Sequence, residues 1–119
     1  MNNCLEATDL QAISDSMVAD FKQRIASIPA DLCAPFHAEA QKLETQLLMV
    51  YKMIAMVTRK QEDLIQVSKL WACVVSMCDA SAKQLGELVK QHPNCGADYY
   101  YDRVLDLRNK CLRLEQLHS

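Results

Sequence analysis

Cys33 and His37 stand four positions apart, and His92 and Cys95 stand three apart across a proline, so each pair carries the sulfur and imidazole donors of half a zinc site. A structural zinc takes four ligands, usually from two paired units, and neither half has its complement nearby in sequence. Cys73 and Cys78, five apart, point to different sides of a helix. The run Glu115-Gln116-Leu117-His118 has the Glu-x-x-His spacing of carboxylate-bridged metal bundles. Such bundles use that motif on two helices, with a further Glu from each of the other two, whereas one copy occurs here. Asp98, Asp102 and Asp106 form an i, i+4 carboxylate row, with Arg103, Lys110 and Arg113 on neighbouring rows to soften the repulsion. They read as a solvated helix face.

Catalytic constellations are missing. None of His37, His92 and His118 is paired by spacing with a nucleophile and an acid, and Gly86 and Gly96 stand alone, so no phosphate-cradling loop can form. Cys73, on the polar side of its helix with Lys69 one turn away, is expected to be the most exposed and most reactive thiol. No enzyme activity, metal or cofactor is therefore expected. The alternative is a four-helix bundle that holds a metal or cofactor through Cys, His and Met ligands.

Met49, Met53 and Met56 depart most from a plain amphipathic pattern. They recur at steps of four and three on the side of a helix opposite Leu47 and Ile54, flanked by Lys42, Lys52 and Lys60. A helix apolar on two sides is either central in its domain or covered by a second molecule. Methionine is flexible and polarizable, which suits an adaptable interface. The expected interface comprises Met49, Met53, Met56 and Lys52, with Tyr99 added. Tyr99, Tyr100 and Tyr101 sweep about 200° of helix surface, and Tyr99 is the one left facing outward.

The elements that must position these residues are four helices. The central one runs from about 61 to 92, where Leu64, Val67, Trp71, Val74, Cys78, Ser81, Leu85 and Leu88 alternate at steps of three and four, with Lys69, Ser76, Lys83, Glu87 and Lys90 opposite. Phe36, Ala40, Leu43, Leu47, Val50, Ile54 and Val57 mark a second seam over about 35–58, with Pro35 in its first turn. Leu10, Ile13, Met17, Phe21, Ile25 and Ile28 mark a first helix over about 8–28. Thr8-Asp9-Leu10-Gln11 reads as its capping box, and Pro29 ends it. Tyr100, Val104, Leu107, Cys111 and Leu114 mark a fourth helix over about 97–117, after the turn signal Pro93-Asn94-Cys95-Gly96. Thr58-Arg59-Lys60-Gln61 matches a second capping box, and the stripes on either side of it are out of register by more than about 100° at 100° per residue. These features favour a break there over one continuous helix.

One core is all that 119 residues can enclose, and two Gly with three Pro are too few for an all-β chain. The fold expected is all-α, a single antiparallel four-helix bundle with long central helices two and three and coiled-coil-like seams. Thirteen Lys plus Arg are interspersed with fifteen Asp plus Glu, which excludes the clustered basic face that nucleic acid or an anionic membrane requires. Leu47 to Val57, interrupted by Lys52, is too short to span a bilayer, and residues 1–10 lack a secretory signal pattern. Six cysteines sit mostly inside helical patterns, as reduced thiols would. The expectation is an intracellular protein, cytoplasmic or nuclear. Its function is expected to be non-enzymatic: an adaptor, scaffold or oligomerisation bundle that binds a protein partner or itself, as in a homodimer.

Overall fold

The computed structural model describes residues 7–29, 32–58 and 64–117, and among them every regular element is an α-helix. Helix α1 spans Ala7–Ala26, α2 Cys33–Thr58, α3 Leu64–Gln91 and α4 Ala97–Leu117. The second capping box falls largely outside the described residues.

Helix α1 is already helical at Ala7, so Thr8, the expected cap, lies inside the first turn, one position past the first helical residue. It ends two residues before the predicted boundary. The Ser27 amide donates to the Arg24 carbonyl at 3.3 Å and the Ile28 amide to the Ile25 carbonyl at 3.1 Å, tightening the chain ahead of Pro29. Helix α2 starts at Cys33, which puts Pro35 in the first turn, where no intrahelical N–H is needed. Helix α3 stops at Gln91, and the Cys95 amide closes the following turn onto the His92 carbonyl. Gly96 then takes a left-handed φ of 86°, a conformation that costs a residue with a Cβ about 1 kcal/mol or more.

The seams meet. The stripe positions named on α3 from Val67 to Leu88 are buried, and so are Phe36, Ala40, Leu43, Leu47, Val50 and Ile54 on α2 and Tyr100, Val104, Leu107 and Cys111 on α4. Burying each large aliphatic or aromatic side chain contributes about 1.5–3 kcal/mol. Trp71, the largest fully buried residue, packs against Tyr51 of α2 at a ring-centroid distance of 5.5 Å.

Helices α1 and α4 flank the α2–α3 pair and do not touch each other. The closest association is between α3 and α4, where small residues such as Ala82, Gly86 and Ala97 let the backbones approach, and where Arg108 donates to Asp79 at the rim. The result is a slab of 50 × 28 × 16 Å.

Two expectations change. On α1, Ser14 is buried while Ile13 is exposed, because α1 leans on α3 as well as α2: Ser14 lines a crevice with Ser76 and Ala80. Cys73 is half-buried rather than exposed, since it lies one turn before those residues on the edge of α3 that α1 covers. Burial pushes its thiol pKa up, away from the reactive thiolate.

Candidate functional site

The outward face of α2 is set by helical geometry. Leu47 and Ile54, both fully buried, fix the inward side, and Met49, Met53 and Met56 project from the opposite side at 58, 45 and 63 % exposure. A monomer gains nothing from this placement, because removing each Met side chain from water would be favourable. Scattered exposed apolar residues need no explanation, whereas three on consecutive turns of one helix form a patch.

Neighbouring helices set the electrostatics of this face. The two acidic residues of α2 are both taken up by arginines. Glu39 lies 3.7 Å from Nη1 of Arg24, which also holds Asp20, and Glu44 accepts from Nε of Arg103. Lys42 lies one heptad before Met49, at the N-terminal end of the same stripe, Lys52 borders the stripe on its α4 side, and neither has an ion-pair partner among the described residues. The outer face of α2 is therefore apolar from Met49 to Met56, with one positive charge at its N-terminal end and one along its α4-side edge. Lys60 lies outside the described residues.

Tyr99 sits across the adjoining groove. Glu44 and Leu48 of α2 form one wall and Tyr99, Arg103, Leu107 and Lys110 of α4 the other, around an open volume of about 410 Å³. Arg103 holds the exposed Tyr99 in place: Nη1 donates to the phenol oxygen at 2.8 Å, and Cζ lies 5.3 Å from the ring centroid. Behind it, Tyr100 packs edge-on against Tyr99 at 5.0 Å.

In comparisons with family models, curated proteins and solved structures, nothing matches this chain.

The fold carries the two cysteine–histidine half-sites to the same end of the bundle. His37 Nε2 shares a hydrogen bond with the Tyr100 hydroxyl at 3.2 Å, and the His92 ring stacks on Phe36 at 4.7 Å. Cys95 is buried and Cys33 exposed. Among the described residues, no three His, Cys, Asp or Glu side chains converge on a point that an ion could occupy. Asp98, Asp102 and Asp106 are all exposed on α4, the last two along the rim of the α2–α4 groove. His118 falls outside the described residues. No helix among those described is long and apolar enough to cross a membrane.

The sequence alone offered Arg103 only as a neighbour of the aspartate row and did not single out Arg24, so neither contact with α2 was foreseen. Their signal exists only after folding, when each reaches an acidic residue of α2, and no local spacing encodes it.

Proposed function

We propose that this chain is a non-enzymatic protein-interaction module, an adaptor or oligomerisation bundle whose docking face is the Met49–Met53–Met56 stripe of α2. The observation that carries this reading is the exposure of all three methionines on a helix whose other side is already buried in the core. Flexible thioether side chains on a rigid helix can repack against different partner surfaces at little backbone cost. Tyr99, held by Arg103, extends the face across the neighbouring groove.

We read the helices consecutive in sequence as antiparallel to one another. Phe36 meets His92 near the start of α2, and Tyr51 meets Trp71 farther along, so contacts advance on α2 as they retreat on α3. Tyr101 against Gly86 and Arg108 against Asp79 support the same relation for α3 and α4.

The test is NMR of protein labelled at the Met ε-methyl groups, followed over protein concentration and during titration with helical amphipathic peptides. Signals from Met49, Met53 and Met56 are expected to move, and Met53→Asp is expected to abolish the movement while leaving helical circular dichroism intact. If the variant unfolds, or if neither treatment moves these methyls, the reading falls.

A further inference from the structure

We infer that the occupant of the α2 face is an acidic amphipathic helix of another protein, with apolar anchors for the three methionines and Asp or Glu placed to meet Lys42 and Lys52. The inference rests on the reading of α2 as a docking face and goes on to name the chemistry of its partner.

The geometry of the stripe argues for a helix. Met49, Met53 and Met56 repeat at steps of four and three along about 10 Å of α2, matching the i, i+4, i+7 anchors of a helix laid against a helix. Their midline has no polar group to satisfy the exposed backbone of an added strand.

Charge selects the partner's edges. Glu39 is held by Arg24 and Glu44 by Arg103, so the acidic residues of α2 are already neutralised within the molecule. Lys42 marks the N-terminal end of the stripe, one heptad before Met49, and Lys52 marks its α4-side edge, both exposed. On the Lys42 side the facing carboxylate of α1, Asp20, is also held by Arg24. On the far wall of the α2–α4 groove, Asp102 and Asp106 share the rim with Lys110.

The same charges weigh against a second copy. A two-fold contact is self-complementary, so an axis through the middle of the stripe brings Lys52 toward its own symmetry mate. Like charges brought together in that way oppose association, whereas carboxylates on a different chain would satisfy both lysines.

The experiment uses the full chain labelled at its Met methyls and two synthetic 18-residue helical peptides. Both have Leu at i, i+3, i+4 and i+7; one carries Glu on both edges and the other Lys at the same positions. At low salt the Glu peptide is expected to shift Met49, Met53 and Met56 and to bind about tenfold more tightly than the Lys peptide, as expected for two solvent-exposed ion pairs. The difference should shrink as salt is added. The doubly substituted variant Lys42→Glu/Lys52→Glu, altered only at exposed positions, should reverse the preference.

Equal binding of the two peptides, or tighter binding of the Lys peptide, overturns this proposal and leaves the docking face standing. Movement of the Met signals with protein concentration alone, with sedimentation giving a dimer, also overturns it by making a second copy the occupant. If neither peptide moves the signals and the protein stays monomeric, the docking face falls together with its partner.

Discussion

Arg103 of α4 donates through Nε to a carboxylate oxygen of Glu44, a residue of α2 fifty-nine positions away whose side chain is almost entirely buried. The two ends of this pair are unequal, because Arg103 is half exposed and can turn to water while Glu44 cannot. Arg103→Ala is therefore expected to lower the melting temperature by several degrees, and Glu44→Gln by clearly less, since an amide is cheaper to bury than an unpaired carboxylate. Thermal unfolding of both variants and of the double variant checks the order. Equal losses would show that the pair contributes through packing alone.

The two glycines are expected to respond to alanine with opposite signs. A Cβ on Gly86 would sit 3.4 Å from Cε2 of Tyr101 and 3.8 Å from Cδ2, ordinary contact distances, within a helix that glycine weakens. Gly86→Ala should stabilise by about 0.5–1 kcal/mol. Gly96→Ala should destabilise by about 1 kcal/mol or more, because the backbone is left-handed there and the added carbon would come 3.3 Å from Nδ1 of His37. Urea midpoints of the two variants at neutral pH measure both effects.

Burial, with a smaller contribution from Cys111 beside it, pushes the Cys78 thiol up to about 12, and burial pushes the Cys111 thiol up to about 12 as well. In the unfolded chain each returns to about 8.5. Between those values the unfolded state releases protons that the folded state keeps. The stabilisation is complete below about pH 8 and declines as pH rises toward 12, by about 1.4 kcal/mol per pH unit for each thiol. Urea unfolding at about pH 8 and about pH 10.5 should show the decline, and Cys78→Ala should make it shallower. A pH-independent midpoint across that range would contradict the burial of these thiols.

Much of this fold was legible in the residues, and for a physical reason. Helices α2, α3 and α4 carry long, regular apolar seams, and a seam repeated over five or more turns leaves little choice about which side faces inward. The outward placement of Met49, Met53, Met56 and Tyr99 followed from the same phase argument. Ile13 and Ser14 were harder to place because α1 lies in the crevice between two helices, where a small polar residue at the contact can be favoured over a larger apolar one. Cys73 was misplaced because α3 is covered on a second edge by α1, and a periodicity argument sees only the widest stripe. Long-range partners such as Arg103 with Glu44, or His37 with Tyr100, depend on which helices become neighbours, and no window along the chain contains that information.

Because α1 and α4 never meet, nothing can pass directly between the first helix and the last. Strain or thermal agitation that peels away the first helix must be relayed by the two inner ones before the final helix feels it. The α3–α4 pair should accordingly behave as the keel of the molecule, with α1 the plank most easily lifted from it.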